Sequence, residues 1–193
     1  TDDVLDILAQ KGVKATFFVV GQSREENLQR MRRIVEEGHA IGMHAFYHDY
    51  SSLYDSVESY LGDMYALFCQ IKEVTGVTPT IFRFPGGSGN TISKKYNEGI
   101  MTELVKEADE KGYIYYDWNV LSGDAGETKD SDKIYKNIVK GCAKHTHSVV
   151  LCHDIHEYTV NAMDKTIAKL LKQGYVLLSL DESTPTCHQQ VNN

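Results

Sequence analysis

VKATFFVVG, residues 13–21, is the stretch on which the fold turns. It is a short apolar run rich in β-branched and aromatic residues, preceded by VLDILAQ and Gly12 and closed by Gly21, so it reads as a buried strand following a helix. Asp2 and Asp3 fall in the first turn of that helix, where acidic side chains suit the helix dipole. Working outward, the same unit recurs. A helix over Glu25 to Glu37 leads into the short strand HAIGMH, and a long helix over Tyr50 to Thr75 stops at Gly76 before TIFRFPGG. Ser51, Ser52, Asp55 and Ser56 are candidate caps for the long helix. A helix over Ser93 to Lys111 then precedes YIYYDWNV, one over Ser131 to Cys142 precedes SVVLCHD, and one over Tyr158 to Gln173 precedes YVLLSL. Helix and short apolar strand in alternation predict a mostly parallel sheet covered by helices, open or closed into a barrel. The first helix has no strand before it, as in a barrel with one stave missing.

The 193 residues, 41% hydrophobic and 24% charged, are enough for one sizeable core, and the expectation is a single domain over 1–193. The net charge of -7, with no lysine or arginine run, argues against nucleic acid as a partner. Arg30, Arg32 and Arg33 stand among glutamates and read as an ion-paired helix face. Cys69, Cys142, Cys152 and Cys187 show no CxxC spacing. No apolar run reaches membrane-spanning length, and no basic region precedes a small-residue cleavage site.

His44, Arg83, Pro85, Asp117, Trp118, His153 and Asp154 all fall at or just after the predicted C-terminal ends of strands, where α/β folds place their chemistry. His44 and His48, four apart in HAFYH, can face one ion where the backbone between them turns. Two imidazoles with one carboxylate suit a divalent ion of the zinc type, with positions left for water and substrate. The chain supplies no obvious third ligand. His153 is the candidate general acid, its tautomer held by Asp117 or Asp154.

VLDILAQKGVKATFFVVG, GHAIGMHAFYH, FRFPGG, YYDW and VVLCHD occur in the order seen in the polysaccharide deacetylase family, the NodB-like carbohydrate esterases, and the chain resembles that family from Val4 to about Leu180. The resemblance implies a distorted (β/α) barrel and metal-dependent removal of acetyl groups, with an acetylated polysaccharide as partner and an extracellular or cell-envelope location. It implies His44 and His48 as ligands to a divalent ion, zinc first and cobalt or nickel after it. Arg83 would pair with the catalytic base, Asp117 would orient the acid His153, and Trp118 and Leu151 would wall the acetyl pocket. Pro85 and Gly86 fall on the arginine-proline motif; Gly86 replaces a frequent tyrosine but keeps the backbone N–H that steadies an oxyanion. The family's TFDDGP-like segment, which carries the base and a carboxylate ligand, would lie upstream of Thr1. Removal of N-acetyl groups from an N-acetylglucosamine glycan is therefore the expected activity. An O-acetyl xylan esterase and a degenerate carbohydrate-binding domain are the alternatives.

Overall fold

The computed structural model describes residues 1–193, which gather into two compact units. One comprises Thr16–Asp117 and Leu180–Asn193, the other Thr1–Ala15 and Trp118–Ser179.

The first unit is built on a four-stranded parallel sheet in the order β1 (Thr16–Val20), β2 (Ala40–Ala45), β3 (Ile81–Phe82), β4 (Ile114–Tyr115). Helices α2 (Glu25–Glu36), α3 (Tyr50–Leu53), α4 (Val57–Thr75) and α5 (Ile100–Lys111) connect the strands. Met31 and Ile34 of α2, and Tyr60, Met64, Leu67 and Ile71 of α4, are buried with Ile41 and Met43 of β2. Each such aliphatic side chain removed from water stabilises the fold by roughly 1.5–3 kcal/mol.

The single helix expected from Tyr50 to Thr75 is broken in two. Asp49 accepts from the Ser52 N–H and starts α3, while Ser56 accepts from the Ser59 N–H at 3.1 Å and starts α4. Between them Tyr54 is fully buried, its hydroxyl donating to the Pro85 carbonyl at 2.6 Å.

Gly42 lies within β2. Its role is close approach: a Cβ there would stand 2.7 Å from the Phe18 ring and 3.1 Å from the Ile81 carbonyl oxygen. Gly42→Ala is expected to cost about 1–3 kcal/mol in a denaturant titration, the usual scale of overpacking.

The C-terminal segment runs back over this unit. Leu180 N–H donates to Thr16 Oγ1 at 2.7 Å, and the Tyr116 hydroxyl meets the Asp181 and Thr184 carbonyls at 2.9 and 2.7 Å. The His188 ring stacks on Tyr115 with centroids 3.8 Å apart. Asn193 reaches the start of α5, its side-chain oxygen accepting from the Gly99 N–H at 2.8 Å and its backbone carbonyl from the Thr102 N–H at 2.8 Å.

The second unit pairs β5 (Val120–Leu121) in parallel with β6 (Val150–Leu151), flanked by α1 (Asp2–Lys11), α6 (Ser131–Cys142) and α7 (Glu157–Lys172). Val120, Ile134, Ile138, Cys142, Ala162 and Leu170 form its core, with Tyr175 and Leu177 packed against them. Helix α1 ends where Gly12 adopts φ 64, and Lys11 pairs with Asp164 at 2.7 Å.

Two strand expectations are corrected. YIYYDWNV is not one strand; it contributes β4 to one sheet and β5 to the other, with Tyr116 to Asn119 between them. YVLLSL forms no strand, although its side chains alternate: Leu177 packs on the core while Val176 and Leu178 are exposed. No helix is long and apolar enough to cross a membrane.

Candidate active site

In the four-stranded unit the site begins at an irregularity in β2. Val19 pairs with Met43 and Val20 with Ala45, so His44 is an extra residue, a bulge that re-aims its side chain. Gly21 N–H, shared between the Ala45 and Phe46 carbonyls at 3.1 Å each, closes the bulge. The turn that follows is fixed from α4, where Asp63 accepts from the N–H groups of Phe46 at 2.5 Å and Tyr47 at 3.0 Å. His48 then adopts φ 52, unusual for a residue with a side chain, and its ring stands 5.0 Å from that of His44.

The tautomer of His44 follows from its partner. Nδ1–H donates to the Arg83 carbonyl at 2.8 Å, so Nε2 keeps its lone pair. Two imidazole rings 5.0 Å apart, one of them oriented by a backbone carbonyl, fit two positions around a zinc-type ion. No group of three or more His, Cys, Asp or Glu side chains suited to a metal is present, so the fit extends to two ligands of a shell that ordinarily takes three.

Arg83 is buried, donating from Nε to the Tyr116 carbonyl at 2.8 Å and from Nη2 to the Asp117 carbonyl at 3.1 Å, with its guanidinium 4.3 Å from the Phe18 ring centre. Beyond Arg83, Pro85 is buried and Gly86 exposed, the latter at φ 79. The turn is tied by Asn90, which donates to the Gly87 carbonyl at 2.9 Å and accepts from the Ser93 N–H at 3.0 Å.

Asp117 does other work than expected. It is fully buried, and its carboxylate accepts from Ser88 N–H at 2.8 Å, Ser88 Oγ at 2.5 Å and Gln189 N–H at 2.8 Å. It therefore joins the glycine-rich turn to the C-terminal segment. Asp154 lies with its carboxylate 3.5 Å from the Thr1 amino group.

The carboxylate that holds His153 is Asp124, in the second unit. Its Oδ1 meets His153 Nδ1 at 2.9 Å, and its Oδ2 accepts from His153 N–H at 2.6 Å and Thr159 Oγ1 at 2.8 Å. Ser122 Oγ adds a bond to Oδ1 at 2.7 Å. Burial pushes the pKa of this carboxyl up, but the bonds from His153, Ser122 and Thr159 outweigh it and bring the pKa down to about 2. Asp124 is thus a fixed anion, and His153, half-buried, turns Nε2 away from it. Leu151 and Trp118 are also half-buried in this unit.

A family model for polysaccharide deacetylases matches residues 1–104. The chain belongs to the polysaccharide deacetylase family. Its structural likeness is strong: the catalytic domain of a peptidoglycan N-acetylglucosamine deacetylase from Eubacterium rectale is 39% identical with a TM-score of 0.96, the match covering 100% of this chain and 87% of that one. The peptidoglycan-N-acetylglucosamine deacetylase PgdA of Listeria monocytogenes is 33% identical over 94% of this chain, which spans only 35% of that protein's length. A CE4 family pseudoenzyme from Bacillus anthracis is 26% identical with a TM-score of 0.76, over 93% of this chain and 58% of that one. The parallel pairing throughout both sheets is the mixed α/β arrangement expected of this deacetylase family.

Asp124 lies outside the sequence expectation because residues 113–120 looked like one strand, and Asp117 within it and Asp154 beside His153 were the carboxylates at hand. The signal was in the SGD that follows Leu121. With Leu121 opposite Leu151 in parallel strands, Asp124 and His153 emerge side by side at one sheet edge.

Proposed function

We propose that this chain hydrolyses the N-acetyl group of N-acetylglucosamine residues in a cell-wall glycan, outside the cell or at its envelope, with the help of a divalent ion, zinc first. The bond between His153 and the buried Asp124 carries the reading. An amide nitrogen leaves only when protonated, and a ring whose Nδ1–H is held by a permanent anion keeps Nε2 as the site from which a proton passes to it. The Asp124 charge also stabilises the imidazolium form that precedes the transfer.

His44 and His48 would hold the ion, with His44 oriented by the Arg83 carbonyl. When bound, such an ion supplies an acidified water and polarisation of an acyl oxygen. In this reading the Gly86 N–H faces the acyl oxygen, Pro85 shapes the turn, and Trp118 and Leu151 wall the acetyl group. Arg83 braces the sheet end through the Tyr116 and Asp117 carbonyls, and Asp117 positions the turn rather than the acid. The relatives named above, two of them peptidoglycan deacetylases, support the substrate class.

The test is acetate release from N-acetylglucosamine oligomers and from peptidoglycan by protein that carries the family's TFDDGP-like segment and is supplied with zinc. Release from either is expected. The incomplete ligand set and the pseudoenzyme relative favour a second reading, a glycan-binding domain without turnover. Binding of the oligomers without acetate release would establish that reading instead. His44→Ala is expected to weaken zinc binding by at least about 10–100-fold in a competition titration with a chromogenic chelator. Unchanged affinity would remove the histidine pair from the proposal.

A further inference from the structure

Tyr50 opens α3 directly after the histidine turn, and none of the roles above uses it. Its ring is half-buried, edge-on to His48 with centroids 5.7 Å apart and tilted against Tyr54 at 5.5 Å. Tyr54 is itself fixed, since its hydroxyl is bonded to the Pro85 carbonyl at 2.6 Å. The Tyr50 ring is therefore wedged between a candidate metal ligand and the residue that anchors the PGG turn.

At the far end of that ring, the hydroxyl hangs over Gly86. A Cβ at Gly86 would stand 2.9 Å from Tyr50 Oη and 3.1 Å from Asn90 Cβ, so the space beside this glycine is taken by the phenol. The hydroxyl forms no hydrogen bond within the chain. Nor does the Gly86 N–H enter the backbone network, in which Gly87 N–H turns back to the Phe84 carbonyl at 2.8 Å. Two donors without internal acceptors thus lie beside the same turn, next to His48. Neither group is sealed from solvent, so a ligand that brings an acceptor can bond both in place of water. A carbonyl oxygen, with two lone pairs, can accept from both.

We propose that Tyr50 is a substrate-binding residue whose hydroxyl donates to the carbonyl oxygen of the acetamido group, together with the Gly86 N–H. This rests on the deacetylase reading and adds to it a side-chain donor that approaches from α3. Charge that accumulates on that oxygen during hydrolysis strengthens the same bond.

The test is calorimetric binding of an N-acetylglucosamine pentamer and of its fully deacetylated counterpart to the wild type and to Tyr50→Phe, which keeps the ring and removes only the hydroxyl. Expected is a roughly 3–10-fold loss for the acetylated pentamer, the value of one neutral hydrogen bond. Affinity for the deacetylated pentamer and the melting midpoint should not change. Equal affinity of both proteins for the acetylated pentamer would overturn the inference alone. A parallel loss for both pentamers would overturn the carbonyl assignment. Failure of the wild type to bind either pentamer would overturn the functional reading, and this inference with it.

Discussion

Asp124→Asn is expected to lower the rate of acetate release about 10³–10⁴-fold, the scale on which a histidine loses function when its orienting carboxylate becomes an amide. Asparagine keeps one acceptor but brings an NH₂ group into a site where His153 N–H, Thr159 Oγ1 and Ser122 Oγ all point donors inward. The amide must place its own hydrogens against some of them, and the ring of His153 loses its fixed tautomer. Turnover with KM measured separately checks the rate. A fall of less than about tenfold would exclude the dyad from the chemistry.

The same substitution alters the pH dependence of stability. The folded pKa of Asp124, about 2, lies below the ordinary carboxylate value of 3.8. A depressed carboxyl stabilises the fold above the ordinary value, and that contribution disappears as pH falls from about 4 through about 2. The gap corresponds to something of order 2 kcal/mol. Denaturant titrations between neutral pH and pH 2 should show this loss in the wild type and a flatter acid limb in Asp124→Asn.

Asp117→Ala is expected to act on stability as strongly as Asp124→Asn acts on rate. Removing the carboxylate leaves the N–H groups of Ser88 and Gln189 and the Ser88 hydroxyl facing a void in a fully buried position. A loss of about 3–5 kcal/mol follows from stranding several donors that had been bonded to a charge. For a chain of this size that lowers the melting midpoint by roughly 6–20 °C. Ser88→Ala removes one donor and its bond together and should cost much less. If Asp117→Ala shifts the midpoint by less than a few degrees, the carboxylate does not hold the turn and the C-terminal segment together.

Much of this was legible in the chain because local signals and tertiary demands agreed. Gly12, Gly76 and Gly112 end helices where they were expected to, each at positive φ, and the strands from Thr16 and Ala40 follow their apolar runs. His44, His48 and His153 could be singled out because they fall with Arg83 and Asp117 at or just after predicted strand ends, in segments that resemble the family's motifs. What stayed hidden depends on partners far away in sequence. The bulge at His44 exists only in the pairing of β1 with β2, and the identity of the residue beside His153 depends on the register of β5 against β6. The helix break at Tyr54 reflects a buried hydroxyl seeking the Pro85 carbonyl, a contact that propensity does not encode.

The cap on α5 carries a consequence for the order of events during synthesis. Gly99, at the N-cap, has no side chain to offer, and the acceptor for its N–H is the side chain of Asn193. The two are 94 residues apart, which at ordinary translation speeds means roughly 5–20 s between their incorporation. On a ribosome, the acceptor at the start of α5 is therefore not available until the second unit's residues have been made.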